Sequence, residues 1–300
     1  MTLPPETVHL AFEAGPYRMA MGLTAQNPDD LVELDEHYPA EMAERRHLLA
    51  ARRDEVFAAT PGAEAACAEV LERLVSLLPA RFPAWFARGG NTLENRLTGE
   101  TWHLSDPGLH PLELAGRLVQ EDWCVLQPGP LGPVLTAAVL CFPTRWRLGD
   151  KIGRPLAAVH GPVPLYGERL ANPVDRLMGQ LRPGKLVQRV NWSLLDDPAL
   201  FQPVRRFRDD ADAAITPDNV GARVVLRSER QTLSALPISG GVLFGIHVHV
   251  YPLARIATRP EVARQLAAAV RALPEEIRRY KSLTGFEGAM LAYLDGRATA

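Results

Sequence analysis

The sequence predicts an α+β fold in which helices come first and last and a strand-rich segment lies between them. Apolar residues recur at helical spacing in the first third of the chain. Short apolar runs bounded by proline and glycine occupy the middle, and two segments that begin with proline and early glutamate close the chain. With 300 residues, 47% of them hydrophobic, the chain is long enough to bury a substantial core.

The first third is predicted to be helical. Asn27-Pro28-Asp29-Asp30 resembles a helix start, with a capping side chain, a proline in the first turn and acids near the positive end of the dipole. This helix is expected to run towards Arg53. A second helix is predicted after Thr60-Pro61, and its apolar face comprises Ala66, Val70, Leu71, Leu74, Leu77 and Leu78. We therefore assign residues 1–115 to a helical N-terminal region.

Five strands are predicted in the middle of the chain, at residues 122–126, 134–142, 186–193, 222–230 and 241–252. A helical excursion, residues 144–184, separates the second strand from the third. This order is that of a PAS domain, a five-stranded antiparallel sheet with its helices over one face and a ligand pocket between them. We expect residues 116–255 to form this core and residues 256–300 to form C-terminal helices, at 260–272 and 274–294.

Composition disfavours several partners. The net charge is −2, and the densest basic cluster, residues 205–208, is followed at once by two aspartates. Nucleic acid and anionic membranes are therefore not expected as partners. The N-terminus lacks the pattern of a secretory signal, and no segment approaches the roughly 18 apolar residues of a membrane span. Cys67, Cys124 and Cys141 are few and widely spaced, which predicts reduced core cysteines and a cytoplasmic protein.

Motifs for common enzyme classes are missing. No Gly-x-Ser-x-Gly, His-Glu-x-x-His or dinucleotide fingerprint occurs, so hydrolase and nicotinamide-binding functions lack their usual support. Residues 179–186 match the glycine and lysine spacing of a phosphate-binding loop. Leu186, however, stands where a magnesium-binding hydroxyl is required, and a helix is predicted where that motif needs a strand. We reject a phosphate-binding loop at this position.

His160 is the histidine most suggestive of a ligand. The following Gly161-Pro162-Val163-Pro164 cannot continue a helix, so the backbone is stiff and the ring can point from a helix end into a cavity. Such a setting suits a metal or haem ligand, or a buried histidine bonded to a carbonyl. His247 and His249 share one face of the last predicted strand. They could share a metal ion, but no third ligand is evident, and we interpret them as half-exposed strand residues.

Polar residues on the third and fourth strands are candidates for binding an anionic group. Arg189, Asn191 and Ser193 share one strand face by parity. The end of the fourth strand carries Arg227, Glu229, Arg230 and Gln231. Guanidinium groups beside an apolar pocket can bind carboxylates such as haem propionates in a bidentate manner. Ordinary surface charge is the alternative.

Several long segments together resemble the haem-dependent oxidative N-demethylase family. They are residues 120–126, 141–146, 151–154, 160–166, 174–176 and 189–193. Shorter matches lie at 15–19, 21–23, 227–233, 236–237 and 280–281, so that the resemblance spans almost the whole chain. One departure concerns the last strand, where relatives tend to carry Arg-Thr-Tyr and this chain has His247-Val248-His249.

The resemblance implies a PAS-type protein that carries haem b and oxidatively removes a methyl group from a small secondary amine, with formaldehyde as a product. It implies the use of O₂ and of electrons from NADPH, delivered by partner flavin and iron–sulfur proteins. His160 would be the axial iron ligand. The other haem or pocket contacts would be Tyr166, Arg189, Asn191, Arg227 and Arg230. A non-catalytic haem sensor of O₂ or another diatomic gas is the main alternative, and a haem-storage subunit is a third.

Overall fold

A computed structural model describes residues 2–106, 108–205 and 210–299. Its strands are β1 (Thr24–Gln26), β2 (Phe57–Ala59), β3 (Phe86–Gly89), β4 (Thr92–Asn95), β5 (Glu100–His103), β6 (Asp122–Gln127), β7 (Val134–Val139), β8 (Leu186–Leu195), β9 (Val225–Leu236) and β10 (Gly241–Pro252). Its α-helices are α1 (Tyr38–Ala51), α2 (Arg53–Val56), α3 (Glu64–Arg81), α4 (Pro111–Gly116), α5 (Leu156–Val159), α6 (Tyr166–Arg169), α7 (Ala171–Gln180), α8 (Val220–Arg223), α9 (Leu253–Ile256), α10 (Pro260–Ala272), α11 (Glu275–Tyr280) and α12 (Glu287–Ala298). Short 3₁₀ helices span Pro28–Leu31 and Leu148–Asp150.

The main sheet is antiparallel and has seven strands in the order β1-β8-β9-β10-β6-β7-β2. The five predicted strands are all present and lie next to one another as β8-β9-β10-β6-β7. The predicted sheet nevertheless had too few strands, because β1 and β2 extend it at its two edges. Each of these has only three residues, too few to show the alternating pattern by which a strand is recognised.

The N-terminal region is not purely helical, as had been predicted. Residues 86–103 form a separate three-stranded sheet in the order β3-β4-β5. The predicted helix start at Asn27 is a single 3₁₀ turn, in which the Asn27 side chain does accept a hydrogen bond from the Asp29 N–H at 3.1 Å. The long helix begins later, at Tyr38, with proline again in its first turn. In α3 the predicted apolar face is confirmed: its members are buried except for half-buried Leu77.

The register of β8, β9 and β10 assigns each side chain to one of two faces. Asn191, Glu229 and Val248 lie directly opposite one another in the three strands and therefore share a face. We call this the Glu229 face. By alternation it also carries Arg189, Ser193, Arg227 and Gln231. The opposite side, the His247 face, carries Ser228, Arg230, His247 and His249.

A buried ion pair anchors the chain where it leaves β7 for the helical excursion. Arg45 Nη1 lies 2.8 Å from Asp122 Oδ1, and both side chains are wholly buried. The two carboxylate oxygens of Asp122 also accept the N–H groups of Cys141 and Phe142, each at 2.8 Å. Asp122 thus fixes the segment that leads towards His160.

The C-terminal helices enclose a second apolar core. α10 packs on α12, and their buried residues meet Leu226 and Tyr251 at the ends of the sheet. The prediction for 260–272 is confirmed by α10. The segment predicted as one helix over 274–294 is instead divided into α11 and α12, because Ser282 adopts a left-handed conformation with φ of 57°.

Four further sequence predictions concern the cysteines, membrane spans, the basic cluster and the rejected phosphate-binding loop. The three cysteines are unpaired and buried, as predicted. No helix within the described ranges is long and apolar enough to cross a membrane. Residues 206–209, which include most of the basic cluster, lie outside the described residues. Residues 179–186 join helix α7 to strand β8, which is the reverse of the order that a phosphate-binding loop needs.

Candidate functional site

The turn that carries His160 is tied to the start of β7. The Leu156 N–H donates to the Pro133 carbonyl at 2.7 Å, and the Gly153 N–H donates to the Leu135 carbonyl at 2.7 Å. At the other end of α5, Lys151 Nζ donates to the Val159 carbonyl at 2.5 Å. The single helical turn is therefore held on both sides, and His160 follows it as the C-terminal cap.

The His160 ring has the tautomer and the protonation state that a metal ligand requires. Its Nδ1 lies 3.0 Å from the Leu156 carbonyl, which can only accept, so the proton is on Nδ1 and Nε2 has a free lone pair. Nε2 has no hydrogen-bond partner among the residues that the structure describes. Burial lowers the pKa of His160 to about 4, so the imidazole is neutral at pH 7. A carbonyl-bound ring nitrogen is the usual support of a ligating histidine, so the two interpretations drawn from the sequence are compatible.

Tyr166 stacks on this imidazole. The ring centroids are 4.4 Å apart and the planes are 11° from parallel. The Tyr166 side chain is buried, its hydroxyl makes no hydrogen bond to any described residue, and burial raises the pKa of Tyr166 to about 12. Leu165, immediately before it, has a φ of 63°, which is rare for a large side chain. The structure thus leaves a protonated hydroxyl beside His160 without a partner.

Arg189 is a cation without a protein partner among the residues that the structure describes. It lies on the Glu229 face of β8, within electrostatic range of His160, Tyr166 and Glu229. The side chain is half-buried, and burial lowers the pKa of Arg189 from its ordinary value. Its guanidinium has no hydrogen bond or ion pair with any residue that the structure describes. Its donors are therefore available to a bound anion.

Asn191 and Glu229 form a polar cluster on the same face. Asn191 Nδ2 donates to Glu229 Oε2 at 3.2 Å, and Gln231 Nε2 donates to the same oxygen at 2.7 Å. The Thr144 hydroxyl donates to the other oxygen, Oε1. Lys281, from the C-terminal region, donates from Nζ to the Trp192 carbonyl at 2.6 Å and carries its charge near Glu229. The sequence grouped Asn191 with Arg189 by parity but did not indicate that Glu229 is the acceptor at the centre.

Arg227 lies on the Glu229 face, but its guanidinium is hydrogen-bonded to other parts of the protein. Nε donates to the Thr144 hydroxyl at 2.9 Å. Nη1 donates to the Ala199 carbonyl at 3.0 Å, and Nη2 donates to the Phe142 and Leu200 carbonyls at 2.8 and 2.9 Å. Arg227 therefore holds the segments at 142–144 and 199–200 against β9. One N–H of Nη1 at most is left over, which is too few for a bidentate contact with a haem propionate.

Arg230 lies on the opposite, His247 face. It donates to the Asp30 carbonyl, and its Nε lies 3.1 Å from Glu33 Oε1. Positions 227 and 230 are three residues apart, and alternation along a strand sends such residues to opposite faces. A group bound on the Glu229 face is thus out of reach of Arg230. Of the three arginines named from the sequence, Arg189 is the one on the Glu229 face without a protein partner among the described residues.

Apolar surface completes the region around His160. The strongly one-sided helix α7 has no fully buried residue, and its Val174, Leu177 and Met178 are only half-buried. Residues 187–193 of β8 are likewise half-buried, since β1 pairs only with residues 186–188 of this strand. A free imidazole nitrogen, a free guanidinium, an unpaired tyrosine hydroxyl and adjacent apolar surface fit the iron, the carboxylates and the ring of a haem.

His247 and His249 differ from their interpretation as half-exposed strand residues. Their relative exposures are 0% and 2%. They lie on the His247 face, away from Arg189 and Asn191, so they do not contribute to the region around His160. The segment that covers them comes from residues 6–35, which sequence spacing alone could not place there.

A cleft of about 540 Å³ lies elsewhere, between α3 and the loop before α4. Its lining includes Arg53, Leu71, Leu104 and His110, and none of the predicted site residues. His110 uses Nδ1 to accept the Leu112 N–H at 3.2 Å and so caps α4. Nothing in this cleft resembles a haem-binding arrangement.

Comparison with known protein families identifies the family to which the chain is similar. The family described as "haem-dependent oxidative N-demethylase, alpha subunit-like" matches residues 22–291. The match includes His160, Tyr166, Arg189 and Asn191, together with all the strands of the main sheet. The N-terminal segment before residue 22 lies outside it.

Proposed function

Because the chain belongs to the haem-dependent oxidative N-demethylase, alpha subunit-like family, we propose that it carries haem b and demethylates a small secondary amine. The observation that carries the proposal is the neutral His160 imidazole, fixed through Nδ1 by the Leu156 carbonyl and free at Nε2. We place the haem in a PAS-like core at residues 116–255. The five adjacent strands and the helices that interrupt them support this placement.

His160 is the proposed axial ligand, through Nε2. The Leu156 carbonyl holds the ring in one tautomer and increases its basicity. Stacking against Tyr166 restricts rotation of the imidazole. When bound, the haem supplies O₂ activation and the oxidation of the N-methyl group.

Arg189 and Tyr166 are proposed to bind the haem carboxylates. The Arg189 guanidinium offers a planar pair of donors, and the Tyr166 hydroxyl offers a third donor. Asn191 and Glu229 keep the neighbouring surface polar. Arg227 maintains the backbone around this surface, and the half-buried face of α7 shields the site from water.

Electrons are proposed to come from NADPH through separate flavin and iron–sulfur proteins. The three cysteines are dispersed and buried, and the sequence has no dinucleotide fingerprint. Burial also raises the pKa of Cys67 to about 12, so this thiol is an unsuitable ligand for an exposed cluster. We therefore propose a cytoplasmic protein that acts with redox partners.

A formaldehyde assay tests the function against the alternative of a gas sensor. The haem-loaded chain is incubated with dimethylamine and O₂, first with NADPH alone and then with flavin and iron–sulfur reductase proteins. We expect formaldehyde only when the reductase proteins are present. Reversible O₂ binding with no formaldehyde under any reductant would favour the sensor. Steady NADPH-driven formaldehyde production by the chain alone would contradict the need for partners.

A further inference from the structure

A second cluster of ligand-type side chains lies on the His247 face, on the other side of the sheet from His160. It comprises Glu6, His9, Glu33, Asp35, Glu121, His247 and His249. The N-terminal segment crosses this face: the His9 N–H donates to Tyr251 Oη at 3.1 Å, and Ser228 Oγ donates to the His9 carbonyl at 2.8 Å. These bonds hold Glu6 and His9 over β10.

The inner part of the cluster has the dimensions of a metal site. Asp35 Oδ2 lies 3.9 Å from His247 Nε2 and 3.8 Å from His249 Nδ1. Glu6 Oε1 lies 3.2 Å from His249 Nδ1. Neighbouring ligands of a tetrahedral Zn²⁺ with bonds near 2.0–2.1 Å are roughly 3.3 Å apart. The ligand atoms of Asp35, His247 and His249 all lie within 4.8 Å of one another, so a contraction of the set would close it around one ion.

An unpaired nitrogen atom points to a ligand in the same place. His247 Nε2 is buried and makes no hydrogen bond to any described residue. His247 Nδ1 and His249 Nε2 are also unpaired, but they face Glu121 and Glu33 instead. A buried polar atom without a partner is destabilising unless a ligand satisfies it. Among Glu6, Asp35, His247 and His249, the unpaired His247 Nε2 faces the carboxylate of Asp35. We propose that Asp35, His247 and His249, with Glu6 as fourth ligand, bind a divalent transition-metal ion, for which Zn²⁺ is the best fit.

The residues that contact the proposed ligands are placed to orient them, as residues around a metal site usually are. His247 Nδ1, on the far side of the ring from Asp35, lies 3.3 Å from Glu121 Oε1. The contact lacks hydrogen-bond geometry, and a small rotation of the ring would convert it into the carboxylate–histidine–metal arrangement. Glu121 Oε1 is held in turn by the Glu33 N–H at 2.9 Å. The second oxygen of Asp35 accepts from Gln120 Nε2 at 2.9 Å and from the His37 N–H at 2.8 Å, which leaves Oδ2 for the ion.

The charges of the cluster also favour a dication. The carboxylates of Glu6, Glu33, Asp35 and Glu121 meet here. They are contacted by two guanidiniums, those of Arg230 and Arg255. With neutral imidazoles these four carboxylates and two guanidiniums sum to −2, and the buried Glu41 carboxyl lies close by, so the cluster favours a cation. Two imidazoles and two carboxylates exclude the all-oxygen sets of Ca²⁺ and Mg²⁺ and suit Zn²⁺.

The four side chains would fill the coordination sphere of the ion and leave no open position, so the site would be structural and not catalytic. All four proposed ligand side chains are buried, and they join three separate segments: the N-terminus, the loop before α1 and β10. His9 and Glu33, 2.9 Å apart and partly exposed, lie beside His249 and provide a route for the ion. Glu6 lies outside the residues that match the family, and the cluster lies on the opposite face of the sheet from Arg189 and Asn191, so the proposal does not depend on haem binding.

Zinc binding to the full-length chain tests this inference. The protein is stripped with EDTA, dialysed and titrated with ZnCl₂, and bound zinc is measured by elemental analysis. We expect one zinc per chain and a higher melting temperature with zinc. Asp35→Asn and His249→Gln keep the side-chain volumes and should weaken zinc binding at least about 100-fold. His160→Ala and His103→Gln are controls and should bind zinc like the wild type.

Cobalt provides a second measurement in case a variant does not fold. Co²⁺ added to the wild-type chain should give the strong visible absorption of a four-coordinate ion, and zinc should displace it. A wild-type chain that takes up no zinc and gains no thermal stability would overturn the proposal and leave protons as the balancing charges. Equal zinc affinity in the wild type and in folded Asp35→Asn would overturn it as well. Loss of zinc in His160→Ala would place the ion at the other site.

Discussion

At the residue scale, free donors and acceptors distinguish the proposed haem contacts from structural ones. Arg189 and Arg227 both lie on the Glu229 face, where Arg189 is half-buried and Arg227 is buried. The Arg227 guanidinium donates hydrogen bonds to a hydroxyl and to backbone carbonyls. The Arg189 guanidinium donates none to the described residues. A half-buried guanidinium without a protein partner is free to bind an anion, which favours an anionic ligand beside Arg189.

Arg189→Lys is expected to weaken haem binding about tenfold, because lysine keeps the charge but loses the planar pair of donors. The measurement is a haem titration followed by absorption. Arg227→Lys is the matched comparison: it should lower the free energy of unfolding by about 1–3 kcal/mol, since buried carbonyls lose their donors. Haem affinity that is unchanged in Arg189→Lys would remove Arg189 from the site.

Sequence reasoning at this scale succeeded where strand parity was applied. Parity placed Arg189 and Asn191 together, and both lie on the Glu229 face. Arg227 and Arg230 were grouped by nearness along the chain, and alternation separates them. The partners of Arg227 come from positions 142–144 and 199–200, and no local pattern indicates contacts over such distances.

At the element scale, the Arg45–Asp122 pair connects α1 to β6 and to the backbone that enters the excursion. The pair is wholly buried and lies 2.8 Å apart. The Arg45 guanidinium also donates from Nη2 to the Gln120 carbonyl at 2.6 Å and stacks over the Phe142 ring at 4.6 Å. Loss of one partner leaves an uncompensated charge in the core.

Arg45→Met is therefore expected to lower the free energy of unfolding by about 3–5 kcal/mol. The adjacent Arg46 provides a matched control, because its pair with Glu100 at 3.3 Å is partly exposed. Arg46→Met should cost less than about 1 kcal/mol. Denaturant unfolding of the two variants measures both values. Equal losses would show that burial does not determine the contribution of these ion pairs.

Elements with enough residues to display a period were predictable. β10 and α10 were predicted with the bounds that they have, since each shows a long apolar pattern and a clear start. β1 and β2 were missed because three residues show no period and their pairing partners are distant in sequence. The sheet at 86–103 was missed for a similar reason, since each of its strands has only four residues.

At the scale of the whole molecule, Lys281 links the C-terminal helices to β8. Its Nζ donates to the Trp192 carbonyl and lies 5.0 Å from the centre of the Trp192 ring. Burial lowers the pKa of Lys281 to about 8, from an ordinary value of 10.5. Between these two values the unfolded chain binds more protons than the folded chain does, so stability should rise with pH.

We expect the free energy of unfolding of the wild type, relative to Lys281→Met, to rise by about 2 kcal/mol as the pH increases from 8 to 10. The comparison with the methionine variant removes the contribution of other lysines and tyrosines. Denaturant unfolding at several pH values gives the measurement. A difference that stays constant over this range would show that Lys281 is not desolvated in the folded protein.

The arrangement of whole regions was only partly predictable. The sequence indicated the five central strands, the excursion with His160 and the C-terminal helices. The His247 face could not be predicted, because its carboxylates come from positions 6, 33, 35 and 121 and meet the histidines only after the N-terminal segment has crossed the sheet. Each of these residues alone resembles an ordinary polar residue.

The most direct test of the central claim is the absorption spectrum of the full chain reconstituted with haem, in the wild type and in His160→Ala. The wild type should bind one haem per chain and show the spectrum of a histidine-ligated iron. His160→Ala should lose the haem or change the spin state of the iron, with its far-ultraviolet circular dichroism unchanged. His103→Ala, in the separate small sheet, should match the wild type. An unchanged haem content and spectrum in His160→Ala would contradict the assignment of His160 as the iron ligand.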